Sequence, residues 1–289
     1  MNLAQLIPIL LQISIALIVF AVGLQAKRGD LTYLLRNPSL LLRSVLAMNV
    51  IMPLIAAGIA GAFHLKPELE TALVLLAVSP VPPVLTGKEA KAGGNVSYGI
   101  GLLAVSAALA IVAVPASVTL IARLFGFDVH VPMALIAKVV GVSVLGPLIL
   151  GVLVQRVAPA LAARAAKPLS RVATILLLLA FVPALLASGR TLLARVGDFT
   201  VAAILLFVLL GLAVGHLLGG PAPEDRTVLA LSTSSRHPAV AIAVAGALVQ
   251  DKEALSMTVL LAFLVSAIVT APYAKWRARR TAAAARGGA

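Results

Sequence analysis

Ser232-Thr233-Ser234-Ser235-Arg236-His237-Pro238 is a polar stretch inside an apolar segment that runs from Thr227 to Val249. Proline lacks an amide hydrogen and disfavours helical geometry in the residue before it, so His237-Pro238 predicts the end of one half-helix and the start of another. The hydroxyl side chains before it can hydrogen-bond the main-chain groups that the break leaves free, which lipid cannot do. The stretch therefore predicts a membrane helix that is broken midway.

Composition places the chain among polytopic membrane proteins. Its 289 residues are 61% hydrophobic and only 11% charged, and the mean hydropathy is +1.10. A soluble domain cannot cover that much apolar surface with so few charges. The predicted fold class is an all-α polytopic membrane protein. The net charge of +13 does not indicate nucleic-acid binding, because the basic residues lie in short loops between apolar runs.

Cysteine is absent, and the histidines are scattered at positions 64, 130, 216 and 237. Without cysteine the chain has no disulfide framework, no thiol nucleophile and no thiolate ligand for a metal. The histidine spacing does not match that of metal ligands. No metal site and no cofactor are predicted.

The apolar runs predict nine membrane spans. The first is too long for a cleaved signal peptide and is predicted to be a retained helix. The third is interrupted at Ser79-Pro80-Val81-Pro82-Pro83. An Ala- and Gly-rich segment at 281–289 is predicted to be a frayed tail. The predicted spans are 3–26, 39–63, 70–92, 95–125, 131–157, 168–188, 199–218, 226–249 and 253–275.

Positive charges predict the orientation. With nine spans and a cytoplasmic C-terminus, sixteen of the 23 basic residues lie on the cytoplasmic side, as the positive-inside rule requires. The N-terminus is then outside. We therefore expect a multi-pass protein of the cytoplasmic (inner, plasma) membrane.

The two broken spans resemble each other in opposite orientation. The third begins outside with Glu68 and Glu70, and the eighth begins inside with Glu224 and Asp225, so each has carboxylates where a helix dipole favours them. Spans one to four are thus predicted to be an inverted repeat of spans six to nine, whose discontinuous helices cross near the midplane. The crossover prolines are Pro80, Pro82, Pro83 and Pro238. The prolines at 53, 115, 147 and 183 are predicted to be tolerated kinks.

Arg236 lies within the second break. A guanidinium in the middle of a membrane helix costs about 2.5 to 3.5 kcal/mol on insertion scales and usually marks a substrate path or a buried pair. The half-helices that begin near Pro82-Pro83 and near Pro238 would point their positive N-terminal ends at the same region. We therefore predict that Arg236 helps to bind an anion. A structural role, in which it pairs with carbonyl oxygens at a helix C-terminus, remains the alternative.

Several segments resemble the bile acid:sodium symporter family, and the resemblance continues across most of the chain. They are Gly23-Leu24-Gln25-Ala26-Lys27, Asp30, Arg36-Asn37-Pro38, Val50-Ile51-Met52-Pro53, Leu69 to Leu75, and Ser79-Pro80. The resemblance implies a transporter in which a panel domain packs beside a core domain and organic anions cross by alternating access. Auxin efflux and arsenite carriers resemble the same architecture, so the fold does not identify a substrate.

By this resemblance, residues 1–280 form one transporter domain. The panel would consist of 3–26, 131–157 and 168–188, and the core of 39–63, 70–125 and 199–275. The chain is similar to the nine-span form of the family, which lacks the first helix of ten-span members.

The chain departs from the family pattern at the sodium ligands. The family's Ser-Asn pair aligns with Leu85-Thr86, and its crossover glutamate aligns with Ser232. A family glutamine aligns with Met48, and two hydroxyl ligands align with Gly99 and Leu103. Sodium prefers hard oxygen ligands that include a carboxylate, and all ten acidic residues were placed at span ends or in loops. The resemblance therefore implies a transporter that has lost sodium coupling, with Arg236 in place of the ion.

The candidate partners are a small organic anion and membrane lipid. A proton is a further candidate, because His237 titrates near neutral pH if it is accessible, although a lone histidine more often only completes hydrogen bonds. Lys88 and Glu89 are predicted to form a solvated pair rather than to bind a ligand. The predicted substrate-binding residues are Arg236, His237, Ser232, Thr233, Ser234, Ser235, Thr86 and Asn49.

Three other functions stay open. A sodium-coupled symporter with a reshaped ion site would keep the family's activity. A membrane sensor would bind the same anion without moving it, although no signalling domain is attached. An intramembrane enzyme would need a serine with a base and an orienting acid, and the Ser235–His237 neighbourhood offers no such acid.

Overall fold

The computed structural model describes residues 3–63, 65–124, 131–187, 199–248 and 252–287. The predicted span ends at Phe125, Ser188 and Val249 lie outside the described residues. So do the histidines at positions 64 and 130.

The described residues form helices and no strand, which confirms the all-α prediction. A short 3-10 helix, Asp30–Thr32, follows the first helix, and π-helical turns occupy Leu46–Ile51 and Gly141–Leu145. The α-helices are α1 (Leu3–Gln25), α2 (Tyr33–Arg36), α3 (Pro38–Val45), α4 (Met52–Phe63), α5 (Pro67–Val78), α6 (Leu85–Lys91), α7 (Val96–Leu124), α8 (Met133–Val140), α9 (Gly146–Val157), α10 (Pro159–Ala187), α11 (Thr200–Leu218), α12 (Pro223–Ser234), α13 (Pro238–Leu248) and α14 (Lys252–Gly287).

Six helical segments among the described residues are long and apolar enough to cross a membrane, and a seventh counts if the bent pair Ile9–Gln25 and Asp30–Arg36 is one span. The chain is therefore a multi-pass membrane protein. The two predicted broken spans are divided between α5 and α6 and between α12 and α13, and each half has at most 12 residues. A count of nine spans stays a prediction.

Both π-helical turns precede a proline. Pro53 follows Leu46–Ile51, and Pro147 follows Gly141–Leu145. A proline in a helix removes one hydrogen bond and its ring clashes with the carbonyl group four residues earlier, and a wider turn relieves that clash. The helix continues through each proline, so both are tolerated kinks, as predicted. Pro115 and Pro183 likewise lie inside α7 and α10.

Two predicted boundaries are wrong. Helix α10 begins at Pro159 and contains Pro168, which the sequence had suggested as its start. The segment 281–287 is not frayed but continues α14 to Gly287. In both places the extra residues are rich in alanine, the strongest helix former, and its propensity outweighs the break that proline or glycine suggests.

Helix α1 packs against α9 and α10. The contact with α9 is close because Gly23 faces Gly151: a Cβ atom built on Gly23 would lie 2.5 Å from Leu148 O and 2.9 Å from the Gly151 Cα. Small residues allow membrane helices to approach in this way without a hydrophobic driving force. These three helices therefore form one packed group.

The broken helices lie at the centre of the remaining helices. Every residue of α5 from Ala72 to Val78 is buried, and so is every residue of α12 from Thr227 to Ser234. Helix α12 packs on α11 and α14, and α5 packs on α4, α7 and α14. This placement removes both breaks from lipid, as a non-helical main chain at membrane depth requires.

Candidate functional site

The two breaks contact each other directly. The main-chain N–H of His237 donates to Pro80 O at 2.9 Å. Ser79 and Ser235, at the ends of α5 and α12, both have extended main-chain geometry rather than helical geometry. The amide that Pro238 frees by ending the helix is therefore satisfied by a carbonyl group of the other break. The predicted meeting of the two broken helices is confirmed at this hydrogen bond.

Arg236 lies beside this contact and is only 4% exposed. Its Nη1 donates to Ser79 O at 3.1 Å and its Nη2 donates to Met48 O at 3.0 Å. Ser79 follows the C-terminus of α5, and Met48 lies in the π-helical turn before Pro53. The guanidinium thus joins the end of one broken helix to the second span. Its Nε has no partner among the described residues.

The four hydroxyl residues before Arg236 are also buried. Thr233 Oγ1 lies 2.6 Å from Gly211 O on α11 and is also close to main-chain carbonyl oxygens of its own helix, α12. Ser234 Oγ lies 2.8 Å from Ala230 O. Ser235 Oγ and Ser266 Oγ are 3.0 Å apart, and Ser266 also donates to Ser234 O. These hydroxyl groups satisfy main-chain carbonyls near the break, which is the role that their position predicted.

Ser232 makes a different contact. Its Oγ donates to Glu89 Oε1 at 2.7 Å, across 143 residues of sequence. Glu89 is 2% exposed, and its Oε2 has no hydrogen-bond partner among the described residues. The prediction that Glu89 lies in a solvated pair is wrong. A carboxyl group contributed by α6 contacts the position at which the family resemblance had implied a missing carboxylate.

Lys88 points elsewhere. Its Nζ binds Thr270 Oγ1 and lies 3.4 Å from Ala267 O, both on α14. Consecutive residues of a helix do not face each other, so Lys88 and Glu89 contact different neighbours. The buried residues of this region are Leu85, Glu89 and Ala92. This i, i+4, i+7 spacing is that of a buried helical stripe, and it is the sequence signal that could have identified Glu89.

A cavity of about 700 Å³ opens beside Glu89. On one side it is bordered by α1 and α10, and on the other by α6, α7 and α14. Among the described residues, the charged residues that border it are Lys88, Lys91, Lys275 and Glu89. Its neutral polar residues are Gln25, Thr86, Asn95, Ser170 and Thr174, and its larger apolar residues are Ile18, Val22, Val84, Val96, Ile100 and Leu177.

The cavity includes only one of the predicted substrate-binding residues. Thr86 borders it and donates to Pro83 O at 3.1 Å. Asn49 borders a separate small cavity of about 10 Å³ beside Met48 and Ser106. The structure brings Arg236, His237 and the four hydroxyl residues together at the crossover, but in this conformation they do not border the large cavity. Their roles in binding stay predictions.

His237 lies with its ring in the protein interior, at 1% exposure. Neither ring nitrogen has a hydrogen-bond partner among the described residues. In this conformation the ring does not border the large cavity. A role for His237 in carrying protons, which the sequence left open, gains no support from this position.

Comparison with known proteins identifies the family of this chain. The sequence model of the Sodium Bile acid symporter family matches residues 12–196. The chain belongs to this family. The earlier resemblance is therefore confirmed. The matched residues include α5, α6 and the cavity borders on α1, α7 and α10.

One curated relative is described as an uncharacterized sodium-dependent transporter, YocS, of Bacillus subtilis (strain 168). It is 29% identical to this family member over 209 residues, which are 72% of this chain and 62% of the relative. The match thus spans less than two thirds of the relative's length. Sodium dependence is stated for that protein.

Proposed function

We propose that this family member is a secondary transporter that moves a small organic anion across the cytoplasmic membrane by alternating access, without sodium coupling. The observation that carries the proposal is the cavity beside the crossover, which three lysines and one glutamate border. An anion is attracted by positive charges close to it. The side chains of Lys88, Lys91 and Lys275 supply these charges.

The other borders of the cavity favour an anion with an apolar part. Ile18, Val22 and Leu177 form an apolar border, while Gln25 and Asn95 offer hydrogen-bonding groups. A volume of about 700 Å³ is within the range of small-molecule sites, roughly 300 to 1,000 Å³. This combination suits an amphipathic organic anion more than a small inorganic one.

In alternating access, the helices on the two sides of the cavity would move relative to each other. Helices α1, α9 and α10 pack together, and the cavity separates α1 and α10 from α6, α7 and α14. We propose that the former group is the panel and the latter belongs to the core. Relative movement of the two would close this cavity and open one on the opposite side, with the crossover between them.

The orientation proposed from the positive-inside rule makes the cavity face the cytoplasm. Lys88, Lys91 and Lys275 all belong to the sixteen basic residues assigned to that side. The structure would then correspond to an inward-facing state. The N-terminus would be outside the cell.

Loss of sodium coupling is supported by the contacts of Arg236. Its guanidinium donates to the main-chain carbonyl of Met48, at the position where the resemblance implied a glutamine ligand. Because the fixed guanidinium cation already binds carbonyl oxygens at this place, those oxygens are less available to coordinate a sodium ion. The alternative, a sodium-coupled symporter with a reshaped ion site, is favoured by the similarity to the Bacillus relative, which is described as a sodium-dependent transporter.

The test begins with the purified full-length protein. Melting temperatures are measured with taurocholate, pyruvate and citrate, because a ligand that binds only the folded state stabilises it. The anion with the largest shift is then followed in proteoliposomes. Accumulation inside the vesicles would support transport. A melting shift without uptake would instead favour an anion sensor, and no shift with any anion would contradict the proposal.

A further inference from the structure

We propose that Glu89 is a proton-binding site, and that its protonation couples anion transport to a proton gradient. The inference rests on the proposed function, because coupling requires a transported anion. It deepens that function by identifying the co-transported ion. It assigns to Glu89, on α6, the proton-binding role for which His237 was the candidate from the sequence.

The geometry of Glu89 carries the inference. The carboxyl group is in the protein interior, yet the residue borders the cavity. Oε1 accepts from Ser232 at 2.7 Å, and Oε2 has no partner among the described residues. A buried carboxylate oxygen without a donor is costly, and a proton removes that cost by neutralising the group. Oε2 is therefore the atom at which a proton would bind.

Gly99 on α7 forms the other wall of this site. A Cβ atom built at Gly99 would lie 2.8 Å from Glu89 Oε2. Gly99 also borders the cavity. The absence of a side chain at this position leaves the space that Oε2 occupies. In the resemblance, Gly99 aligns with a hydroxyl ligand of the family's sodium site, so the Glu89 carboxyl group approaches one of the positions aligned with that site.

Several of the charged and titratable groups around Glu89 have other partners. On α7, the Tyr98 hydroxyl shares a hydrogen bond of 2.8 Å with Ser44. On α12, Asp225 Oδ1 accepts from Asn95, and Arg226 Nε donates to Gly220 O. On α14, Arg277 donates to Thr227 Oγ1 and Pro223 O. The groups concerned are Lys88 and Lys91 on α6, Tyr98 on α7, Glu224, Asp225 and Arg226 on α12, and Lys275 and Arg277 on α14.

Of these, Lys91 and Lys275 border the cavity, and Lys88 binds α14. Among the described residues, Glu89 Oε1 accepts a hydrogen bond from the neutral Ser232 hydroxyl, and Oε2 has no hydrogen-bond partner. A carboxyl group without a bonded cation has no fixed charge to hold it permanently ionised. It can therefore exchange a proton with water in the cavity during a cycle.

The coupling follows from charge. A proton from cavity water would bind Oε2, and the glutamate would become neutral. The three lysines would then face an incoming anion without a competing carboxylate. Closing the cavity would bury a neutral acid rather than a charged one, which costs less. On the other side the proton returns to water, so one proton and one anion move together without any change in covalent bonds between heavy atoms.

The first experiment detects the proton itself. Infrared difference spectra between acidic and alkaline buffer are recorded for the purified full-length protein and for Glu89→Gln. Glutamine keeps the shape and the acceptor for Ser232 but cannot ionise. We expect the band of a buried protonated carboxyl group in the native protein and its loss in Glu89→Gln. Glu224→Gln, the same change at an exposed glutamate, should retain that band.

The second experiment measures coupling. Proteoliposomes are loaded with a pH-sensitive dye, and the anion that gave the largest melting shift among taurocholate, pyruvate and citrate is added outside. Entry of the anion should acidify the lumen with the native protein and not with Glu89→Gln. Gly99→Ala, which crowds Oε2, should also reduce acidification. Gly61→Ala is the control, because Gly61 lies in α4 away from this cavity and its Cβ would meet nothing within 4 Å.

Failure of the proton-site proposal can be distinguished from failure of the proposed anion transport. Anion uptake without lumen acidification, or an infrared band that is unchanged in Glu89→Gln, would overturn the proton site and leave the transporter standing. If instead no anion bound or moved while the band disappeared in Glu89→Gln, the proton-binding part would stand and the proposed anion transport, with its coupling, would fall.

Discussion

Ser232 Oγ donates a hydrogen bond of 2.7 Å to Glu89 Oε1, and this bond joins α12 to α6. At the breaks themselves, the broken helices are also linked from His237 N to Pro80 O and from Arg236 Nη1 to Ser79 O. The Ser232–Glu89 bond differs from these because it joins side chains of the adjoining half-helices. A change in the protonation of Glu89 would therefore act directly on the contact between the broken helices.

Ser232→Ala tests the structural value of this bond. The substitution leaves Glu89 Oε1 buried without its donor, and an unsatisfied buried acceptor typically costs about 1 to 3 kcal/mol. We expect a lower melting temperature for the purified variant at neutral pH. Ser39→Ala is the matched control, because Ser39 is exposed near the start of α3. Equal melting temperatures for the two variants would show that the bond does not stabilise the fold.

Close packing of α11 on α12 gives a second prediction. A Cβ atom at Gly215 would lie 2.4 Å from Leu229 O and 2.5 Å from the Ala230 Cα. Both are main-chain atoms of a buried helix and cannot move aside easily, so Gly215→Ala should destabilise the protein by about 1 to 3 kcal/mol. Thermal unfolding in detergent measures this effect.

Gly58→Ala is the control for that substitution. Gly58 lies in α4, and a Cβ there would meet nothing within 4 Å. Alanine is a better helix former than glycine by about 1 kcal/mol, so this variant should be neutral or slightly stabilised. If Gly215→Ala melted at the same temperature as Gly58→Ala, the two helices would not be packed as described.

The position of Lys275 at the cavity predicts that its charge contributes modestly to anion affinity. Lys275 is exposed and borders the cavity. An exposed charge pair contributes about 0.2 to 1 kcal/mol, so Lys275→Gln should weaken anion binding by up to about fivefold. Arg279→Gln removes a charge from the same helix away from the cavity and should leave affinity unchanged. Identical affinities for the two variants, measured by calorimetry, would place the anion elsewhere.

Much of the fold could be predicted from the sequence because proline and hydroxyl residues act locally. The break at His237-Pro238 and the kinks at Pro53 and Pro147 follow from the missing amide and the ring clash. The start of α10 could not be obtained from Pro168 by the same argument, because the alanine-rich residues before it propagate the helix.

The candidate site was less predictable, because its contacts join residues far apart in sequence. Arg236 was expected at the crossover, but its partners, Ser79 O and Met48 O, are main-chain atoms that carry no signal of their own. Glu89 was assigned to solvent because its neighbour is a lysine. The i, i+4, i+7 spacing of Leu85, Glu89 and Ala92 indicates instead that Glu89 is buried. That inference, however, depends on knowing where α6 begins.

Sodium independence gives a further prediction. An intact sodium site would raise the melting temperature specifically in sodium, because an ion that binds only the folded state stabilises it. We expect equal melting temperatures in sodium and potassium chloride at equal ionic strength, with or without the anion. A shift in sodium alone would support the sodium-coupled alternative.

Arg236 gives the last prediction, because its contacts favour the structural role that the sequence had left open. In this conformation both terminal nitrogens bind main-chain carbonyls, and the side chain is 4% exposed. Arg236→Gln cannot span from Ser79 O to Met48 O, so at least one buried carbonyl loses its donor, at a cost of about 1 to 3 kcal/mol. The melting temperature of the anion-free protein should therefore fall. Arg236→Lys should recover it only in part, since an ammonium group cannot reproduce a planar fork with two separate donors.

Anion affinity of the folded fraction separates this structural role from direct binding. If Arg236 bound the anion itself, losing one partner of a buried charge pair would cost about 2 to 5 kcal/mol, which is roughly 30-fold or more in affinity. Because Arg236 does not border the cavity in this conformation, we expect a smaller loss of affinity together with the lower melting temperature. An unchanged melting temperature with a 30-fold loss, or more, would reverse the assignment and make Arg236 a direct ligand of the anion.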